Sequence, residues 1–335
     1  MNVPSSSSCV DPLAGGHLAL GVLLLHGPRG PGVGDLGDAA LQICQLARGG
    51  MEVDVRRRCI SGHVPEPSLH RMRAPLDSAL IRPWLPETLI TDVVVWPETD
   101  STNLRAREAG RTGTAIITDL QTGGRGRLGR PWTEVPYAGI AASVVLPAPA
   151  DPAAVGWVPL ATGLAMRAAV ADACGVELDL KWPNDLLVRS DGRKLAGILC
   201  EFVAGPDPTT GDIIVGTGLN VHHTAEELPV PTATSLALAI GGKPPSREEL
   251  IGRYLANLAA RHTELCAGGA AAAELRADYR AACTTIGREI RIHQGGTTRL
   301  AHADGVDDAG RLLVSGPAGR ATVAAGDVEH IRPLT

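Results

Sequence analysis

The chain has 335 residues, 44% of them apolar and 20% charged, with a formal net charge of −5. That length builds one large core and one or two small ones, and the mild acidity argues against bulk affinity for nucleic acid while leaving room for a local basic patch. Seven cysteines form no CxxC pair and the longest early apolar run, Leu18 to Leu25, is too short to cross a bilayer, so a disulfide scaffold, a zinc site and a membrane protein are disfavoured and a reducing, cytoplasmic compartment fits.

Residues 1–71 differ from the rest. They hold 11 glycines, 6 prolines, the run Ser5 to Ser8 and three of the cysteines. One short helix over Asp35 to Arg48 is the most regular pattern there, and nothing around it packs into a domain. The segment reads as a low-complexity, disordered extension, or as upstream sequence read through, with translation starting at Met51 or Met72. Mass spectrometry of native protein is then expected to find no peptides before Met51.

From residue 72 the elements follow in order. Val93 to Trp96 reads as a short apolar strand ended by Pro97. Ser101 is placed to cap a helix over 102–109 that Gly110 closes. Thr114 to Thr118 reads as a strand, and Gly139 to Leu146 as an apolar strand covered on both faces. Trp157, Leu160, Ala161, Leu164, Ala165 and Ala168 recur at helical spacing, and Gly175 ends that helix.

A meander comes next. Val176, Leu178, Leu180 and Trp182 alternate with Glu177, Asp179 and Lys181. Leu186 to Ser190 and Arg193 to Val203 flank Asp191-Gly192, a favoured two-residue hairpin turn. Asp212 to Val221 supplies another strand, a β-rich edge able to pair across a dimer. Ser246 and Glu249 form a capping box before Leu250, Tyr254, Leu255 and Leu258, and a second helix carries Leu275 and Tyr279. The fold class is α+β, a mixed sheet with helices, over a catalytic region of 72–284. Ile290, Ile292, Leu300, Leu312, Leu313, Val314, Val323 and Val328 then sit in short strands separated by Gly295-Gly296, Asp308 to Gly310 and Pro317 to Gly319. Residues 285–335 therefore read as a small barrel-like β module that can close over a neighbouring site.

Two segments carry the chemistry. Gly123-Gly124-Arg125-Gly126-Arg127-Leu128-Gly129-Arg130-Pro131-Trp132 combines backbone freedom with three guanidinium forks suited to phosphate and carboxylate. It lacks the Gly-Lys-Ser/Thr of a Walker loop and is no dinucleotide fingerprint. A solvated arginine loop, a nucleic-acid-binding segment and a closing loop over an anionic small molecule are its three readings. The second segment is Lys181-Trp182-Pro183-Asn184-Asp185 followed by Lys194-Leu195-Ala196-Gly197.

Pro183 ends the first strand of that segment and leaves Asn184 and Asp185 at an edge or bend, as a simple turn or as part of a site. By alternation Lys194 shares a face with Ala196, Ile198, Cys200 and Phe202. It either snorkels to solvent past the hairpin turn or is held in a pocket, where Ala196 and Gly197 are small enough for a ligand to lie against the strand. Only three of the 31 basic side chains are lysines, and two fall here. Lys194 with Arg127 suits attack of a carboxylate on the α-phosphate of ATP, which yields an acyl-adenylate and pyrophosphate with Mg2+ on the phosphates. Ser101 has no histidine partner for a nucleophile triad. His222-His223 read as loop residues, so no protein metal ligand is assigned.

Ser101-Thr102-Asn103, Gln121 through Trp132, Lys181 through Asp185, Lys194-Leu195-Ala196-Gly197-Ile198-Leu199 and Gly216-Thr217-Gly218-Leu219-Asn220-Val221 stand in the order found in biotin–protein ligases, and the chain resembles that family over 75–331. The resemblance implies a catalytic core related to class II aminoacyl-tRNA synthetases, followed by a small SH3-like barrel. It implies biotin and ATP as substrates with Mg2+, activation as biotinyl-5'-AMP, and transfer to a lysine on the biotin carboxyl carrier domain of an acyl-CoA or pyruvate carboxylase.

Carried over by residue, Lys194, Arg127 and Asp185 are the catalytic set. Ser101, Thr102 and Asn103 line the biotin ureido and tail region, and Gln121 contacts the ligand. Gly124 and Arg125 shape the closing loop, which is mobile when empty and ordered when filled. Arg127 and Lys194 meet the carboxyl and phosphoryl oxygens, and Trp132 packs beside the adenine. Arg130, Gly197 and Asn220 complete the binding residues. Asp185 lies near metal and phosphate or positions the incoming amine. Some family members carry an N-terminal winged helix-turn-helix, whereas residues 1–71 offer no two successive patterned helices. The ligase-only form is expected, a monomer or homodimer without specific DNA binding. The alternatives are a lipoate or octanoate attachment enzyme of the same fold, and a non-catalytic biotin or nucleotide sensor.

Overall fold

The computed structural model describes residues 73–331 except 206–210, 295, 318 and 325. The expectations for 1–71 lie outside the described residues.

Seven strands form the larger sheet: β1 (Asp92–Trp96), β2 (Thr114–Thr118), β3 (Gly139–Pro147), β4 (Leu178–Lys181), β5 (Asp185–Val188), β6 (Lys194–Ala204) and β7 (Gly211–Asn220), in the order β1-β2-β3-β7-β6-β5-β4. β1 and β2 are parallel, and the other neighbours are antiparallel. The mixed sheet expected from the alternating patterns is therefore present. β3 is buried at every position before Pro147 because helices cover both of its faces.

On one face lie α4 (Val158–Cys174), α6 (Arg247–Ala267) and α7 (Gly269–Ala282). They enclose the main core, where the Trp157 and Tyr279 rings meet edge to face at 5.7 Å, a favoured aromatic geometry. Short helices α1 (Ser78–Ile81), α3 (Pro152–Val155) and α5 (Leu236–Ile240) complete the described set. The other face is covered over β2, β3 and β7 by α2 (Thr102–Ala109). Ser101 Oγ accepts from Leu104 N–H, and Gly110 ends the helix in the left-handed region. Thr102, Asn103 and Ala106 are its buried residues, and only the alanine joins Ile116, Val145 and Ile214 in a small second cluster. So little apolar burial leaves the placement of α2 to the polar side chains at its start.

Three expectations change. β7 lies between β3 and β6, so its backbone groups are already paired on both sides and it cannot be a dimer edge. The capping box is half formed: Ser246 Oγ accepts from Glu249 N–H at 3.1 Å, while the Glu249 carboxylate is taken by Arg253 at 2.9 Å. The β5–β6 connection is a five-residue turn over 189–193 rather than a two-residue one, with Gly192 at φ +68° and its N–H on the Val188 carbonyl.

The second sheet holds β8 (Glu289–Gln294), β9 (Thr297–Val306), β10 (Leu312–Gly316), β11 (Gly319–Val323) and β12 (Asp327–His330), all antiparallel, in the order β11-β10-β9-β8-β12. Its turns fall at the glycines read from the sequence. Two buried tryptophans, one at the start of α4 and one just after β4, fasten it to the larger domain. Trp157 Nε1 donates to the Asp308 carbonyl at 2.9 Å and Trp182 Nε1 to the Gly310 carbonyl at 3.0 Å, so each ring buries its area while its polar edge finds a partner. A buried ion pair, Arg247–Asp119 at 2.7 Å, ties α6 to the end of β2 and also receives the entering chain: Arg247 donates to Ala74 O, and Leu76 N–H to Asp119. No helix among the described residues is long and apolar enough to cross a membrane.

Candidate active site

The site opens on the sheet face that α2 leaves uncovered, and its floor begins with an irregularity. Asp185 pairs with Gly197 and Leu186 with Ala196, but Leu187 pairs with Lys194, so β6 carries one extra residue there. A bulge of this kind turns a side chain to the other face. Lys194 consequently does not share the face of Ala196 and Ile198, as strict alternation implied. Its Nζ lies 3.3 Å from where a Cβ on Gly197 would sit.

The Asp185 carboxylate sits between two ammonium groups, Lys194 Nζ at 2.6 Å and Lys181 Nζ at 3.7 Å. Lys181 and Asp185 face each other across the β4–β5 hairpin that Pro183 closes. The backbone of Lys194 is held as well, its N–H on Thr232 O and its carbonyl receiving Thr234 N–H, both at 2.8 Å.

Glycines make the floor close-fitting. Gly197 and Gly218 are cross-strand partners, and Trp132 lies against both. A Cβ on Gly218 would come within 2.3 Å of the Trp132 ring, and one on Gly216 within 2.0 Å of Asn103 Oδ1. Gly216 and Gly218 were not singled out as site residues. Their signal was glycine at alternate positions inside a strand, which marks close approach of another group.

The polar wall runs from α2. Thr102 donates through its N–H and Oγ1 to Gln121 Oε1 at 2.8 and 3.1 Å. Ser143 Oγ lies 2.7 Å from Thr102 Oγ1 and 2.6 Å from Asn103 Oδ1, and Asn103 Nδ2 donates to Glu201 at 2.8 Å. Asn220 Nδ2 donates to Thr234 O at 2.9 Å. Ser143 and Glu201 were not anticipated either, because isolated serines and glutamates in strands carry no distinguishing pattern.

The arginine loop is folded over this wall. Trp132 N–H donates to Gly124 O at 2.9 Å and Gly126 N–H to Arg130 O at 2.7 Å, around a 3-10 turn at Arg127–Gly129. Arg127 Nη2 reaches the Gly326 carbonyl at 3.3 Å, and Arg130 pairs with Asp327. Both partners belong to the second sheet's last turn and strand. Burial holds the Arg127 guanidinium below its ordinary pKa, against the opposing pull of Asp327 and Asp185. Gly124 stands behind the wall, where a Cβ would meet Gln121 Nε2 at 2.5 Å and Trp132 O at 2.6 Å.

Together these elements enclose a cavity of about 820 Å3, within the range of small-molecule sites. Ser101, Thr102, Asn103, Gln121, Arg125, Arg127, Arg130, Trp132, Asp185, Lys194, Gly197 and Asn220 all line it, and Gly124 alone of the anticipated residues does not. The four carboxylates on its lining are each engaged: Asp100 with Arg105, Asp185 with both lysines, Glu201 with Arg107 and Asp327 with Arg130. Among the described residues no three His, Cys, Asp or Glu side chains gather as a metal site. His222 and His223 follow β7, and burial pushes both down to about 4. A concave site with fixed cations and occupied carboxylates is built to receive an anion.

This architecture defines an α+β domain with an anion-receiving cavity and an appended β domain. Residues 94–220 match the biotin/lipoate A/B protein ligase family and residues 285–331 the biotin protein ligase C-terminal domain. The chain belongs to the biotin protein ligase family. It is 40% identical over 280 residues to the biotin--[acetyl-CoA-carboxylase] ligase of Mycobacterium tuberculosis, covering 78% of this chain and 98% of that one. It is 30% identical over 220 residues to the bifunctional ligase/repressor BirA of Bacillus subtilis, covering 65% and 66%. The biotin protein ligase of Aquifex aeolicus in complex with biotin and ATP superposes with a TM-score of 0.60 at 26% identity, covering 72% of this chain and 99% of that one.

Proposed function

We propose that this chain joins biotin to ATP as biotinyl-5'-AMP, releasing pyrophosphate, and then passes the biotinyl group to a lysine of a biotin carboxyl carrier domain. The observation that carries this reading is that Lys194 and Arg127 line one cavity and share Asp185 as a neighbour. A carboxylate brought against the α-phosphate suffers charge repulsion. Cations fixed on a strand and a latched loop offset it without reorganising during the reaction. The polar wall of Thr102, Asn103 and Gln121 gives directional hydrogen bonds to an uncharged polar head, and Trp132 offers a face for a planar base.

Asp185 is the acceptor nearest the reacting centre. Held by Lys194 and Lys181, it orders both ammonium groups before substrate enters and can receive the incoming lysine amine by exchange of partners. Mg2+ fits as an ion that arrives on the nucleotide, since every cavity carboxylate already has a cationic partner. Bound there, it would neutralise the phosphate oxygens. The carrier of an acetyl-CoA carboxylase type enzyme is the acceptor most in keeping with the relatives' names.

The ligase-only reading, without specific DNA binding, rests on the patterning of residues 1–71. A gel shift at low salt with biotin and ATP tests it, and specific operator binding would overturn it. The catalytic reading is tested by incubating the chain with ATP and a carrier domain plus biotin, lipoate or octanoate, and weighing the carrier. Mass gain with biotin alone is expected, and gain with lipoate or octanoate instead would sink it.

A further inference from the structure

Glu134 stands behind the cavity wall rather than on it, two residues past Trp132. Its carboxylate turns inward. Oε2 accepts from Gln121 N–H at 2.9 Å, and Oε1 is shut away from solvent without a hydrogen-bond partner. The Trp132 side chain faces the same carboxylate. One acid thus accepts from the Gln121 N–H, just beyond β2, and faces the side chain of Trp132, whose ring covers Gly197 and Gly218. A group placed this way is unfavourable for folding, because an acceptor withdrawn from water and left unpaired loses its hydration. An apolar side chain would fill the space with less loss.

We propose that Glu134 is a positioning residue for the ligation reaction: its carboxylate fixes the Gln121 backbone and the Trp132 indole relative to each other, and so sets how tightly the cavity holds its substrates. The inference rests on the biotin-activating reading above for its consequence, though not for its geometry. Burial pushes the Glu134 carboxyl up to about 7, against the pull of the Gln121 N–H, the Trp132 side chain and Arg247. Arg247, on α6, is the charged group facing it, and that guanidinium is already committed to Asp119, Ala74 O and Gly139 O.

The direction follows. Gln121 and Trp132 each favour the charged form, so the clamp is tight when Glu134 is ionised and loosens as pH falls through about 7. Stability runs the other way. A carboxyl whose folded pKa exceeds its unfolded value contributes stability that is full at low pH and lost as pH rises through the folded pKa. Function and stability are therefore set against each other at this residue, as at other strained functional groups.

The test uses the full chain. In wild type, the KM for ATP in biotin-dependent pyrophosphate exchange falls severalfold between pH 6 and 8. In Glu134→Gln it stays at the wild-type low-pH value, while the Tm at pH 8 rises. A merely structural residue would lower the Tm and leave the pH profile in place. A second measurement needs neither activity nor a Glu134 variant: the emission difference between wild type and Trp132→Phe isolates Trp132, and it should titrate near pH 7. A flat emission difference, or a Glu134→Gln protein that keeps the wild-type pH dependence of KM, overturns the proposal. Should the chain show no biotin-dependent exchange at all, the ligase reading fails and the emission titration still decides the clamp.

Discussion

The floor and the loop of this cavity place their cations by different means. Lys194 and Asp185 stand on β6 and β5, where a bulge and a hairpin set their directions and the Lys194 backbone is held by Thr232 and Thr234. Arg127 and Arg130 stand on a glycine-rich segment whose hold comes from Gly326 and Asp327 in the second sheet. The floor is rigid because strand pairing over-determines it. The loop keeps its own shape through Trp132 N–H on Gly124 O and Gly126 N–H on Arg130 O. Only two contacts at its tip tie it to the second sheet, which is the support expected of a segment that opens and closes while the floor stays fixed. A reaction that must admit two substrates and retain an adenylate needs both kinds of support.

Substitutions sharpen that contrast. The largest effect is expected at the floor: Lys194→Ala should lower biotin-dependent pyrophosphate–ATP exchange by about 10²–10³-fold, as loss of a preorganised transition-state donor does. Lys194→Arg should not rescue it, since a planar fork cannot take the place of a compact ammonium above Gly197. Arg127→Gly should act on retention instead, releasing adenylate into solution, as measured by trapping free intermediate after a single turnover. Equal retention in wild type and variant would remove Arg127 from the closing role.

Gly218→Ala comes next. A Cβ within 2.3 Å of the Trp132 ring must push it aside, and misplacement of about 1 Å costs up to about 10²-fold. Titration of exchange against ATP checks this, with a raised KM expected and little change in Tm. The smallest effect should come from Asp327→Asn. Arg130 is 63% exposed on its side chain, and an exposed pair contributes only about 0–1 kcal/mol. Adenylate loss should rise by no more than about fivefold and should be reversed by exchanging the two charges between positions 130 and 327.

The floor was more legible from residues than the loop, for physical reasons. Ser101, Gly110 and Gly175 announce helix ends because capping is local chemistry, and the alternation of Leu178, Leu180 and Trp182 survives in the burial of all three. Lys194 was recognised as a site residue but put on the wrong face. The extra residue opposite Leu186 and Leu187 is Leu195, an ordinary apolar strand residue, and alternation cannot register one extra position. β7 read as an edge because strand patterning is silent about neighbours. Arg130 read as a binding residue and does line the cavity, but its ion-pair partner, Asp327, lies 197 residues further along the chain and had no signal. Glu134 had no motif at all. What marks it is burial, which only packing creates.

Exchange of labelled pyrophosphate into ATP by the wild-type chain, with and without biotin and in the absence of any carrier, tests the central claim most directly. The account predicts label incorporation that requires biotin and needs no acceptor protein. Incorporation that ignores biotin, or none under saturating substrates, would contradict it.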